Sequence, residues 1–326
     1  MAKDKIRIAV WNLRGATTGE KSEFIADKIN GFQRKYIGEN KKDRIDIVLY
    51  LESLEGTEKR LPGIDVSSWE EGIKIPFENE TKSSVWVPGR KSQRNYPKGI
   101  LLVNYNKELE IHLFCDEDGT ITWQGPFAAE VANCRTAIGF SVRLKCEPNK
   151  ELLRVLGIWA TPEPDAATGK VSTTQESYFT VLSNILHYYK ANRFFASTVP
   201  CIVLGDTNVN LSSGADSQSC IKTENCKIRL YDQEKQDTAG CIRKLADECG
   251  LSEPLDLSCD PNYSSPPLNT LEHCGLWFRC DLMMISKSAI ENAANGEKKL
   301  KSAFLGDFDT TKSDHCPIIF EVSVPD

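Results

Sequence analysis

The sequence has no run of about 18 apolar residues, and this excludes a membrane-spanning helix. Met1 to Ile8 is charged and then strand-like, with no apolar core of a signal peptide. The expectation is therefore a cytoplasmic protein with no membrane partner. Twelve cysteines are present, yet none forms a C-x-x-C pair, so zinc-ribbon spacing is missing. Most of them fall between Cys220 and Cys280 at uneven spacing and read as reduced thiols, several of them small core residues. Only one of the four histidines, His315, sits in a convincing context, and one is too few for a typical zinc enzyme. No repeat, low-complexity tract or Pro- or Ser-rich linker divides the chain, so residues 1–326 are expected to form a single domain. Forty basic against 46 acidic side chains give a net charge of −6, so a global electrostatic grip on nucleic acid is absent, though a local basic groove is not.

What is present is an ordinary globular composition. Over 326 residues, 40% are hydrophobic and 26% charged, enough to bury a sizeable core without disulfide staples. Lys5 to Leu13 alternates Ile6, Ile8 and Val10, the signature of a half-buried strand. Asp46 to Glu52 is a continuous apolar run ending in an acid, the pattern of a central strand with a carboxylate at its exit. Strands are expected at Gly99–Tyr105, Glu108–Cys115, Thr136–Lys145, Leu152–Ala160, Pro200–Leu204, Cys280–Ile285 and Pro317–Val322. A short strand is expected around Ser84 to Val87, inside a polar excursion covering about residues 56–98. A second excursion covers about residues 209–237. Glu20–Tyr36, Thr173–Phe195 and Thr238–Cys249 read as helices; Gly250 is placed to cap the last in a left-handed turn.

Polar residues gather where these apolar strands end: Asn12, Glu52, Asp206 with Asn208, Asp281, and Asp314 with His315. Alone, each reads as a turn or cap residue. Converging on one sheet edge, they make an oxygen-rich site suited to a hard cation such as Mg²⁺. His187 lies inside an expected helix, and His112 and His273 have no motif around them; all three read as structural or surface residues.

The order of these segments resembles the endonuclease/exonuclease/phosphatase superfamily, whose fold is that of deoxyribonuclease I. The matching segments are Trp11-Asn12, Asp46 to Glu52, Gly99 to Val103, Arg135, Gly205 to Asn208, Arg279 to Asp281, and Ser313 to His315. The resemblance spans residues 6 to 322. It implies an α/β fold, a four-layer sandwich in which two packed, mainly antiparallel β-sheets are flanked by helices. It implies Mg²⁺ or Mn²⁺ held by Glu52, Asn12 and Asp314. It implies His315, Asp206, Asn208 and Asp281 as catalytic residues, with Arg135 and Asn208 on the phosphate. His315 would be oriented by Asp281, and Asp206 would position or deprotonate water; which residue is the general base stays open. One departure stands out. Many members carry a histidine or asparagine at the tip of the strand that here ends Gly157 to Pro162, where Trp159 or Thr161 stands.

The implied activity is metal-dependent phosphoester hydrolysis by in-line attack of water. Fold does not choose the substrate. The basic stretch Gly89 to Lys98, with Arg90, Lys91, Arg94, Lys98 and Tyr96, would suit a nucleic-acid backbone and a stacked base, and reads equally as a solvated loop. A nuclease acting on DNA or RNA is the first expectation. A phosphatase or phosphodiesterase for inositol phosphates, lipid headgroups or nucleotides is the second. A degenerate, binding-only member is the third.

Overall fold

The computed structural model describes residues 5–13, 45–54, 84–91, 97–106, 108–114, 136–161, 168, 175–196, 199–208, 238–252, 257–259, 271–273, 276–278, 281–287, 301–304, 315 and 317–323. The expected helix Glu20–Tyr36 lies outside them, as do Arg135 and Asp314.

In chain order the strands are β1 (Lys5–Asn12), β2 (Ile47–Leu54), β3 (Ser84–Lys91), β4 (Pro97–Asn104), β5 (Leu109–Leu113), β6 (Thr136–Leu144), β7 (Glu147–Trp159), β8 (Cys201–Asp206), β9 (Leu251–Ser252), β10 (Leu257–Cys259), β11 (Leu271–His273), β12 (Leu276–Phe278), β13 (Asp281–Ser286), β14 (Lys301–Phe304) and β15 (Ile318–Ser323). The described helices are α1 (Gln175–Ala191) and α2 (Thr238–Glu248). Seven strands form one sheet in the order β10-β14-β15-β1-β2-β4-β3, and six form the other, β5-β6-β7-β8-β13-β9; β11 and β12 pair separately. Most neighbours are antiparallel. The exceptions are β1 with β2, β7 with β8 and β10 with β14.

The two sheets close on one core because their strands alternate. Ile6, Ile8 and Val10 of β1, Ile47, Leu49 and Leu51 of β2, and Ile100 and Leu102 of β4 face Val155 of β7, Ile202 and Leu204 of β8, and Met283 and Ile285 of β13. Intervening residues of the second sheet, Leu156, Ile158, Val203 and Met284, form a separate core with α1 and α2. That helical layer is required by the parallel β7–β8 pair, whose crossover must return over the sheet face. In α1, Val181, Leu182, Ile185, Leu186 and Tyr189 recur at helical spacing and make its buried stripe. The described residues thus build three layers of the expected sandwich. Gly250 ends α2 at φ 72°, a left-handed cap as its sequence position predicts.

Among the described residues, Cys146, Cys201, Cys241 and Cys249 form no disulfide. Burial pushes the Cys201 thiol up to about 12, so it behaves as an apolar core side chain. No described helix is long and apolar enough to cross a membrane.

Candidate active site

The inward-facing positions that are apolar through the sandwich turn polar at one edge. Asn12 follows Ile6, Ile8 and Val10 on the same face of β1. Asp206 follows Ile202 and Leu204 on β8; Asp281 precedes Met283 and Ile285 on β13; Lys98 precedes Ile100 and Leu102 on β4. Antiparallel pairing brings the start of β13 to the end of β8, with Asp281 opposite Asp206. It brings the start of β4 to the end of β2, with Lys98 opposite Leu54.

Glu52 breaks this alternation. Ile47, Leu49 and Leu51 point into the core, so regular geometry would send Glu52 to the other face. Glu52 instead has φ 51°, in the left-handed region, and the β2–β4 register shifts between Tyr50 and Ser53. Such an irregularity re-aims a side chain, here toward Asn12. Asn208 is also left-handed, at φ 53°. Two strained residues in one cluster mark it as more than a packed edge.

The contacts are dense. The Asn12 Nδ2 amide donates to Asp206 Oδ2 at 2.7 Å and to Glu52 Oε1 at 3.3 Å, so one amide bridges two carboxylates. Asn208 donates its backbone N–H to Asp206 Oδ1 at 2.8 Å. Its Nδ2 donates to Asp206 Oδ2 at 3.2 Å and to the Ala160 carbonyl at 2.9 Å. His315 Nδ1 lies 3.0 Å from Asp281 Oδ2, and His315 Nε2 lies 3.9 Å from Asp206 Oδ2. The Trp11 indole donates to the His315 carbonyl at 3.1 Å and fixes that segment against β1. Lys98 Nζ sits 2.7 Å from Glu52 Oε2.

The electrostatics follow from burial and these neighbours. Burial pushes the Asp206 carboxyl up to about 7; the His315 charge opposes the shift, while Asp281 and Glu52 reinforce it. Glu52 moves the other way. Burial would raise it, but the Lys98 ammonium, the His315 charge and the Asn12 amide hold it below its ordinary value. The edge therefore carries one firmly ionised carboxylate and one that exchanges its proton near neutrality.

Of the residues expected from sequence, Asn12, Glu52, Asp206, Asn208, Asp281 and His315 come together; Arg135 and Asp314 lie outside the described residues. Lys98 belongs to the cluster although its sequence context reads as a surface loop. The available signal was its position two residues before Ile100, in the inward register of β4. Trp159 lies opposite Asp206 across the β7–β8 ladder, but it is 2% exposed and packs in the inter-sheet core beneath the site. Its indole is thus a floor residue rather than a substitute for a phosphate-facing histidine. His187 is exposed near Ser183 and Glu248, and His112 pairs with Glu110, as expected for histidines outside the site.

Two sets of residues could hold a cation. Ligand atoms of Asp206, Asp281 and His315 all lie within 4.8 Å of one another. Glu52 and Asn12 form a second set at the more open side, where Glu52 keeps 18% exposure. Mg²⁺ retains waters and takes one or two carboxylates rather than an all-protein cage. The Glu52 side, the less buried of the two, fits that preference better than the buried Asp206, Asp281 and His315.

Gly205 makes the close approach of β7 and β8 feasible. It has φ 147°, and a Cβ there would lie 1.8 Å from the Ile158 carbonyl oxygen. Gly205→Ala is expected to cost about 3 kcal/mol or more of stability through backbone strain and overpacking. Urea unfolding checks this; an unchanged midpoint would mean that β8 can shift away from Ile158 at little cost.

No family model matches the chain, and no curated protein sequence matches it. Among solved structures, similarity is found to an endonuclease/exonuclease/phosphatase family protein from Bacteroides thetaiotaomicron, at 12% identity and a TM-score of 0.49 over 98% of both chains. A protein of the same family from Leptotrichia buccalis is similar at 12% identity and a TM-score of 0.45, over 98% of this chain and 100% of that one. Truncated TDP2 from Caenorhabditis elegans is similar at 11% identity and a TM-score of 0.47 over 98% of both.

Proposed function

We propose that this chain is a divalent-metal-dependent phosphodiester hydrolase of the endonuclease/exonuclease/phosphatase superfamily, acting on nucleic acid. The observation that carries the reading is the line Asp281–His315–Asp206 beside the Asn12-bridged Glu52.

The geometry supports the following roles. Asp281 accepts the His315 Nδ1 proton, which fixes the tautomer and directs Nε2 toward Asp206 and the space before it. Asp206, with its carboxyl near 7, is matched to accept a proton from water at neutral pH. Asn208 holds Asp206 through two donors, and its other amide hydrogen goes to the Ala160 carbonyl, so a contact with a phosphate oxygen would require one of these bonds to open. Glu52 and Asn12, with Asp314 as a third candidate, would hold Mg²⁺ or Mn²⁺. A bound divalent ion there neutralises phosphate charge and acidifies water. Arg135 is assigned to phosphate binding from its motif alone. Nucleic acid is favoured by the basic residues Arg90 and Lys91 at the end of β3, whose pairing with β4 sets Lys91 opposite Pro97, the residue before Lys98.

The test is cleavage of supercoiled plasmid, single-stranded DNA, structured RNA and a generic phosphodiester with Mg²⁺ or Mn²⁺. Nucleic-acid cleavage abolished by chelation and by Glu52→Ala is the expected result. Glu52→Ala should also remove the thermal stabilisation by metal seen in the unaltered protein. Hydrolysis of the generic ester alone would redirect the reading to a non-nucleic phosphodiesterase. Neither turnover nor metal binding would leave a binding-only protein.

A further inference from the structure

Lys98 does something that the assigned roles leave out. Its ammonium and the Glu52 carboxylate are each 18% exposed and 2.7 Å apart. The remaining Glu52 oxygen accepts from Asn12. Both oxygens of the carboxylate best placed for a divalent ion are therefore engaged by donors of the chain. A lysine is also a costly choice for an inward-facing strand position, next to Ile100 and Leu102, unless its partner needs neutralising. As a compact point charge on a flexible stem, it can hold a carboxylate and then release it.

We propose that Lys98 is a positioning residue for this site, a resident counter-ion that holds Glu52 until a divalent cation and a phosphate arrive together. The inference rests on Glu52 as the cation's carboxylate. A doubly charged ion at Glu52 is repelled by the ammonium beside it, so loading of metal alone is disfavoured. A phosphate anion at the same edge offers Lys98 a new partner. Its binding draws the ammonium off Glu52 and lowers the cost of metal entry. Metal and phosphate then favour one another by the same factor in either order. A site built this way stays charge-balanced when empty and avoids an unpaired, partly buried carboxylate.

The experiment is titration of the full chain with Mg²⁺ by calorimetry, at pH 8, with and without inorganic phosphate. In the unaltered protein, phosphate is expected to tighten Mg²⁺ binding. Lys98→Met is expected to bind Mg²⁺ alone about tenfold tighter, a typical coupling factor, and to lose the phosphate effect. Lys98→Arg should restore both behaviours, because the charge returns. General damage to the fold would weaken binding, so a gain of affinity cannot come from misfolding. Circular dichroism of each variant confirms its structure. The inference is overturned if folded Lys98→Met binds Mg²⁺ no tighter than the unaltered protein, or keeps the phosphate coupling. If the unaltered protein binds Mg²⁺ and only these differences fail, the proposed function survives. If neither protein binds any divalent cation, both readings fall.

Discussion

Asp281→Asn is expected to lower turnover of the true substrate by about 10²–10⁴, as much as His315→Ala, while leaving the chain folded. The two side chains form one hydrogen-bonded pair. His315 Nδ1 is 3.0 Å from Asp281 Oδ2, and both side chains are buried. A carboxylate there accepts the Nδ1 proton and so leaves Nε2 as the working nitrogen. An asparagine can offer its amide N–H instead, which favours the opposite tautomer. The shape is kept and the proton is moved to the wrong atom. The double variant should therefore be scarcely worse than either single one, since residues of one relay are strongly non-additive. Steady-state rates of the three proteins, with unfolding midpoints measured in parallel, decide the matter. Near-normal turnover of Asp281→Asn would remove Asp281 from the mechanism, and multiplicative losses would mean that the two act separately.

The legibility of this site in the sequence has a simple physical basis. Six of the clustered residues are legible because strands alternate, and because an apolar run that ends in a polar residue marks where a core meets solvent. Asn12, Asp206 and Asp281 obey that rule directly. Glu52 does not. Its inward aim depends on a left-handed backbone and a register shift that no periodicity displays. Lys98 reads as part of a loop because Pro97, Tyr96 and the basic residues before it carry turn chemistry, while β2 supplies the partner that makes Pro97–Asn104 a strand.

The same competition between local signal and tertiary pairing explains the misplaced boundaries. Strand β3 runs to Lys91 through Pro88 and Gly89, which sequence alone ends near Val87; an edge strand tolerates proline because one side of it needs no partner. Strand β7 begins at Glu147 rather than Leu152. Its polar start, with Pro148, looks like a loop and becomes a strand only by pairing, with register shifts, against β6. Lys301–Phe304 has no β-branched residue and carries no strand signal; it is a strand because β15 holds it.

A second large effect concerns pH. Divalent-cation affinity is expected to rise about tenfold per pH unit up to near pH 7 and then level off, as one proton is released on binding. Asp206 supplies that proton. Its carboxyl is raised to about 7 from 3.8, first by burial and then by Asp281 and Glu52. Between these two values the folded protein binds a proton that the unfolded chain has lost. The metal-free protein is therefore most stabilised by this group below about pH 4. That contribution declines as pH climbs and is gone above about 7. A cation beside Glu52 reverses the preference, because Glu52 and Asp206 share the Asn12 amide and a positive charge there favours both carboxylates ionised. Glu52 cannot produce the effect, since Lys98 keeps it ionised across the range. Thermal stabilisation by Mn²⁺, measured from pH 5.5 to 8.5, should accordingly grow and then plateau. Asp206→Asn should bind the ion more weakly and with no such slope. A slope that persists in Asp206→Asn would assign the released proton to another group.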